Sequence, residues 1–356
     1  MPAMPATDSA RKQATSQQTV LPLSNKVSMP SFITPTPGDV VDAAARLRDI
    51  AINTPVVRSD RLDALTGARV FVKLENLQRT GAFKFRGAYN CLSRLDRSLC
   101  PDGVVAYSTG NHGQAIATVG RLLDIPTTVV MPSNAPANKI RKAERQGAKI
   151  VLYDREKQSR EEVAAELALQ GKFAVVPPGD NHHVIAGQGT AALEALATLG
   201  QIAPDMIVVP CGGGGLAAGT CLAVEAAGSR AQVWAAEPAR FDDTRRSLAS
   251  GNRETNHGAT SICDALLAPT PAELPFSINR ERLSGVLVAN DDEVMHAMQF
   301  CFDEFRVVIE PGGAVALASL LSDPVASIKG KTVLVLASGG NVDASLFARA
   351  IVDPYA

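Results

Sequence analysis

Lys84 stands between Phe83 and Phe85, with Gly81, Ala82, Gly87 and Ala88 nearby, in the stretch LQRTGAFKFRGAY from Leu77 to Tyr89. A lysine hemmed in by large apolar side chains loses hydration, which disfavours the ammonium and lowers its pKa. The neutral amine is a nucleophile suited to forming a Schiff base with an aldehyde. Taken alone, the motif also fits a surface lysine that snorkels past two core phenylalanines.

Three further clusters bear on that choice. Gly212, Gly213, Gly214 and Gly215 follow the apolar run MIVVP and precede Leu216–Ala217–Ala218. Four glycines let backbone N–H groups close around an anion, and a helix opening there adds unpaired donors and a favourable dipole. A phosphate is the natural guest, although neither a Walker GK[ST] nor a GxGxxG with its later acid is present. The plainer alternative is a tight strand-to-helix turn. Ser108, Thr109, Gly110, Asn111, His112 and Gly113 form a second such junction. Its hydroxyls, amide and imidazole suit a carboxylate, or simply a capped helix start. Ser338–Gly339–Gly340–Asn341 ends the run TVLVLA. Its serine either presents a hydroxyl to a ligand over the strand ends or caps the next helix. Lastly, Glu237, the Phe241 carbonyl and Asp243 follow QVWAAE at the spacing E-x3-F-x-D. Two carboxylates and a carbonyl suit a hard cation, with exposed loop acids as the alternative.

These clusters need a frame. Helical patterns are expected at Asp39–Ile50, Lys84–Arg97, Gly113–Leu123, Asn138–Gln146 and Ser159–Gln170, after Gln188, and at Leu216–Ala227 and Ala344–Ile351. Strand patterns are expected at Val70–Leu74, Val104–Ser108, Thr127–Met131, Ile150–Tyr153, Met206–Pro210, Gln232–Ala236 and Thr332–Ala337. Strands separated by helices imply an α/β fold with parallel sheets covered on both faces. Ligands bind such sheets beyond the carboxyl ends of the strands, where the glycine segments fall.

Composition narrows the function classes. A net charge of −1 and 4% aromatic residues give no footing for nucleic acid or an acidic membrane surface. No apolar run reaches the roughly 18 residues that span a bilayer. The six cysteines, Cys91, Cys100, Cys211, Cys221, Cys263 and Cys301, include no CxxC pair, which fits a reduced, cytoplasmic setting. Residues 1–35, rich in Ser, Thr, Pro, Gln and Ala, read as a disordered tail, with a transit-like peptide as the alternative.

The motifs GAFKFRGA, STGNHGQ, GGGGL and SGGN, in this order, resemble the fold-type II pyridoxal-phosphate enzymes, specifically the serine/threonine dehydratase and serine racemase branch. The resemblance covers roughly residues 40–352. It implies a tryptophan synthase β-subunit-like fold, with a large cofactor-binding domain (36–102 plus 181–356), a small mobile domain (103–180) and the cofactor between them. It implies that Lys84 carries pyridoxal 5′-phosphate and removes the substrate Cα proton. Phe83 would pack on the ring, Asn111 would bond its 3′ oxygen, and Gly212 to Gly215 with Leu216 would hold the phosphate. Ser338 would face the ring nitrogen and Glu310 would lie close by. Ser108, Asn111 and His112 would take the substrate carboxylate. Ser108 and Thr109 join Lys84 as catalytic candidates. Glu237, Phe241 and Asp243 would bind Mg²⁺, or Ca²⁺ or Mn²⁺ in its place.

The implied reaction is β-elimination of water from L-threonine or L-serine, giving a 2-oxo acid and ammonia, in a homodimer acting on a small amino acid. Serine racemisation, and dehydration of hydroxyaspartate or phenylserine, are the alternatives. Thr109 stands where racemases place a serine, and its methyl group disfavours racemisation. Asp264–Ala265 and Gly179–His183 depart from family forms and are expected to reshape the β-side of the pocket. No regulatory domain is expected after residue 352.

Overall fold

The computed structural model describes residues 33–352 except Thr109, Pro136 and residues 323–327. The tail expected over residues 1–35 lies almost wholly outside the described residues.

Ten strands are present among the described residues: β1 (Val56–Arg58), β2 (Arg69–Leu74), β3 (Gly103–Tyr107), β4 (Thr127–Pro132), β5 (Lys149–Tyr153), β6 (Phe173–Val175), β7 (Met206–Pro210), β8 (Gln232–Pro238), β9 (Gly285–Ala289) and β10 (Thr332–Ala337). They form a six-stranded sheet, β1-β2-β10-β7-β8-β9, and a four-stranded sheet, β5-β4-β3-β6. Every neighbouring pair runs parallel except β1 with β2. The fold is therefore α/β, with one antiparallel edge strand.

The apolar runs of β7 and β10 are explained by their central position, since a strand covered on both faces needs apolar side chains in both directions. Alternate residues point to opposite faces. Val70, Val72, Val208, Val333 and Val335 pack with Met298, Val315 and Leu317 on one side. Phe71, Ile207, Val209, Leu334 and Leu336 pack with Ala191, Leu199 and Leu216 on the other.

The late insertion of β10 brings the site together. Ala337 pairs with Leu74 at the carboxyl end of β2, and Val335 pairs with Val208 of β7. The chain leaving β10 at Ser338 therefore runs beside the segment that leads from β2 to Lys84.

Three expected helices differ clearly at their ends, the first, Asp39–Ile50, being observed as Pro37–Leu47. The helix that begins at Lys84 stops at Leu92 rather than Arg97. Beyond it the Asp96 carboxylate accepts the Ser98 N–H at 2.9 Å in a tight turn. The Arg97 guanidinium donates to the carbonyls of Leu123 and Asp124, at the C-terminal end of the helix Asn111–Leu123. The helix expected after Gln188 begins earlier, at His182, where the Asn181 side chain accepts the Val184 N–H at 3.0 Å.

Candidate active site

Lys84 opens the helix Lys84–Leu92, and the turn before it is pinned to the segment after β10. Ala82 bridges Gly339, the Phe83 N–H donates to the Ser338 carbonyl at 3.0 Å, and the Gly340 N–H donates to the Gly81 carbonyl at 2.8 Å. The Lys84 side chain is half-buried, with Nζ donating to the Pro178 carbonyl at 2.7 Å and lying 5.1 Å from the Phe83 ring centroid. Burial pulls its pKa down to about 8. The desolvated lysine is present, and the snorkelling alternative falls away.

A buried ion cluster fixes the first turn of this helix. The Arg86 guanidinium donates to Glu75 through Nε and Nη2, each at 2.8 Å, and to Glu194 through Nη1 at 3.0 Å and Nη2 at 2.9 Å. Lys73, fully buried, donates to Glu194 as well and to the Thr54 carbonyl at 2.7 Å. Against burial, which raises it, the Arg86 charge holds Glu75 below the usual carboxylate range. Paired charges at this depth tie the lysine helix to β2 and to the helix His182–Leu199. Sequence reasoning missed this cluster. Its one local signal is a second basic residue, Arg86, among the apolar and small residues of FKFRGA.

The glycine segment opens the helix Gly215–Ala226, with Gly214 (φ 88°) as a cap that offers no side-chain bond. A Cβ at Gly214 would stand 2.8 Å from Asn279 Nδ2, and one at Gly215 would stand 2.9 Å from Gln188 Oε1. Gln188 is fully buried, yet neither of its amide atoms has a partner, and Asn279 Oδ1 is likewise unpartnered. Buried polar atoms are rarely left so. A cradle that side chains would fill, lined by orphaned amides at a helix N-terminus, fits a phosphate.

At the other junction, Ser108 Oγ accepts the Gly110 N–H at 3.1 Å and a Cβ at Gly110 would meet only open space. Thr109 lies outside the described residues. Asn111 Nδ2 donates to Glu310 Oε1 at 2.6 Å, while its Oδ1 accepts from Asn341 at 2.8 Å. His112 is buried, with Nε2 2.9 Å from the Val176 carbonyl and Nδ1 without a partner. Burial first, and then the Lys84 charge, push its pKa down to about 3. The imidazole is neutral, with its proton on the nitrogen that faces Val176. His112 therefore brings no cation to a carboxylate.

Glu237 and Asp243 are both buried. Glu237 accepts the N–H groups of Thr244 at 2.9 Å and Arg245 at 3.0 Å, at the start of the helix Asp243–Ser250. Burial, and after it the Asp243 charge, raise Glu237 to about 8, and burial raises Asp243 to about 6. Asp243 Oδ1 accepts from Asn256, whereas its Oδ2 is buried with no partner. Exposed loop acids are ruled out. Among the described residues no cluster of three or more His, Cys, Asp or Glu side chains is gathered as for a metal. Two carboxylates with the Phe241 carbonyl fall short of that count.

The residues of GDNHH serve helix ends. Asp180 accepts the Leu274 N–H at 2.9 Å, Asn181 caps the helix His182–Leu199, and His182 Nε2 lies 3.2 Å from Asp39 Oδ1. Gly179 lies against the glycine segment, its Cα 3.4 Å from where a Cβ at Gly215 would stand. A groove of about 900 Å³, lined by Leu196, Ile202, Arg230 and Lys331, lies at the amino ends of β7, β8 and β10. It is at the opposite end of the strands from the glycine segment, which follows β7.

The family described as pyridoxal-phosphate dependent enzyme matches residues 47–339. The chain belongs to this family. It is 40% identical over 320 residues to the L-threo-3-hydroxyaspartate ammonia-lyase of Saccharomyces cerevisiae, covering 90% of this chain and 97% of the relative. It is 41% identical over 310 residues to the enzyme of the same name from a Pseudomonas species, covering 87% and 96%. The crystal structure of serine racemase from Dictyostelium discoideum superposes with a TM-score of 0.82 at 37% identity, covering 87% of this chain and all of that one. Among the described residues no helix is long and apolar enough to cross a membrane.

Proposed function

We propose that this chain is an ammonia-lyase that eliminates water from a β-hydroxy-α-amino acid and releases a 2-oxo acid and ammonia, with 3-hydroxyaspartate as its preferred substrate. One observation carries the chemistry: an amine brought to about 8 by burial, in a turn held against the strand-end serine segment. Bound pyridoxal phosphate supplies the electron sink for negative charge at the substrate Cα. Lys84 holds the cofactor and moves the Cα proton. The N–H groups of Gly212 to Gly215 and the Gln188 amide hold the phosphate, beside Leu216. Phe83 packs on the ring, the Ser338 hydroxyl faces its nitrogen, and Asn111 faces its 3′ oxygen beside Glu310. The loop from Ser108 to His112 holds the substrate carboxylate, His112 through its backbone. Ser108 and Thr109 are the other proton-carrying candidates.

Hydroxyaspartate is favoured over threonine by the two relatives at 40% and 41% identity and by a cation near the loop. The Arg160 guanidinium, whose Nε donates to Glu161 at 2.7 Å, lies 5.5 Å from the ring centroid of Tyr107, the residue before Ser108, and contributes to the lowering of His112. A second substrate carboxylate suits such a group. A panel of L-threo-3-hydroxyaspartate, L-threonine and L-serine, scored by 2-oxo acid release, tests this. The expected order places hydroxyaspartate first, with at least tenfold of its lead lost in Arg160→Gln. Equal loss for all three substrates would remove Arg160 from substrate choice. Racemisation is the second reading, supported by the serine racemase likeness.

For Glu237, the Phe241 carbonyl and Asp243 we infer a site for Mg²⁺, with Ca²⁺ or Mn²⁺ as substitutes, supported by the orphaned Asp243 Oδ2 and the raised pKa of both acids. The two separate sheets support a division into 36–102 with 181–356 and a mobile 103–180. Homodimeric assembly and a cytoplasmic location belong to the same reading.

A further inference from the structure

We propose that Asn341 is a positioning residue which decides that Asn111 offers an N–H, and not its carbonyl, to the 3′ oxygen of the cofactor. The proposal rests on the pyridoxal-phosphate reading of the site. Its evidence is a chain of three hydrogen bonds whose two ends cannot be reversed. The Thr80 carbonyl can only accept, so the Asn341 atom 2.7 Å from it is Nδ2. The same Nδ2 lies 2.8 Å from Asn111 Oδ1, its second hydrogen supplying that bond. The Asn111 oxygen is thereby occupied, and Nδ2 turns to the Glu310 carboxylate at 2.6 Å. Turning Asn111 over would set two amide N–H groups face to face and a carbonyl against a carboxylate. A backbone carbonyl in the lysine turn therefore dictates which way an amide on another element points.

The surroundings leave little room for any other arrangement. Thr80 sits at φ 64°, in the left-handed region that a β-branched residue avoids, and its carbonyl is directed at Asn341. Gly81 follows at φ 72°, and a Cβ there would stand 3.0 Å from Asn341 Oδ1. A Cβ at Gly339 would stand 2.2 Å from Glu310 Oε1 and 3.2 Å from Asn111 Nδ2. The two glycines form the walls of a slot that the three side chains fill. Asn111 is buried, so its second Nδ2 hydrogen has few directions left.

An N–H donated to the 3′ oxygen draws negative charge off it. The proton shared between that oxygen and the lysine nitrogen is then held less tightly, and its titration midpoint falls. Loss of Asn341 leaves Glu310 alone to hold the Asn111 amide, so Asn111 turns more readily, and an amide oxygen facing the 3′ oxygen moves the midpoint up. A residue that only braced the Thr80 turn would change stability and leave that midpoint where it is.

The test is the pH titration of the visible absorption of the bound cofactor, in holoenzyme, with melting temperatures measured alongside. Asn341→Asp, whose carboxylate draws the Asn111 N–H towards itself, is expected to raise the midpoint by about one pH unit or more. Asn341→Ala should raise it by less, and should add no further shift in an Asn111→Ala background, because the effect passes through Asn111. Should Asn341→Asp not fold, the smaller and polar Asn341→Ser carries the same titration. Variants that melt earlier yet keep the wild-type midpoint overturn the proposal alone, as does an undiminished shift in the Asn111→Ala background. A wild-type protein that binds no pyridoxal phosphate overturns the cofactor reading and this proposal together.

Discussion

At Lys84 a pKa near 8 divides the amine between two forms within the working range of an ordinary enzyme, about a tenth neutral at pH 7 and about half at pH 8. Only the neutral form attacks an aldehyde. The shift is downward, so the reactive form is gained as pH rises through 8, far below the range of an exposed lysine. Reloading of apoprotein with pyridoxal phosphate should therefore quicken about tenfold from pH 7 to pH 9 and then level off. Stopped-flow absorbance measures it, and a rate still climbing steeply at pH 10 would mean that Lys84 is not desolvated. The Arg86 cluster makes a separate prediction. Arg86→Met leaves Glu75 buried without its guanidinium, with the Thr54 hydroxyl at 2.7 Å as its remaining bond, and is expected to cost about 3–5 kcal/mol in denaturant unfolding. The lysine was legible because its neighbours in sequence are its neighbours in space. Glu194, which completes the Arg86 cluster, lies 108 residues away, and no local pattern announces it.

Among the elements, the strand-to-helix junctions were the most legible, since a glycine run after an apolar strand constrains backbone and ligand together. Strands β7 and β10 match their expected ends at Met206–Pro210 and Thr332–Ala337, because buried central strands are apolar throughout. Strand β6 has three half-buried residues and no such signature. Helix Asp291–Phe300 went unread despite the capping box that Asn290 and Glu293 form at its start, bonded at 2.7 Å and 3.0 Å. The motif at Glu237 was visible, but its burial was not, and burial changes its meaning. Two carboxylates held out of water repel one another unless protonated or bound to a cation. A chelator should therefore lower the melting temperature and Mg²⁺ should restore it, since a ligand at a hundredfold excess over Kd stabilises by about 2.7 kcal/mol. Glu237→Gln with Asp243→Asn should abolish the response without changing cofactor absorbance. A wild-type protein indifferent to both treatments would show that the pair stays protonated and metal-free.

Across the molecule, the order of motifs anticipated a fold in which segments hundreds of residues apart meet at one set of strand ends. The sequence could not show how they meet. That depends on β10 entering between β2 and β7, which sets Ser338 beside the lysine turn, and on Asn341 and Glu310 reaching Asn111 from different segments. Elimination by a proton-moving lysine, rather than inversion at Cα, is the central claim. It is tested most directly by incubating the purified holoenzyme with L-threo-3-hydroxyaspartate and L-serine, then measuring 2-oxo acid, ammonia and serine enantiomers in the same samples. The account predicts equal amounts of 2-oxo acid and ammonia, fastest from hydroxyaspartate and absent in Lys84→Ala. Accumulation of D-serine with no 2-oxo acid from either substrate, or full turnover in Lys84→Ala, would contradict it.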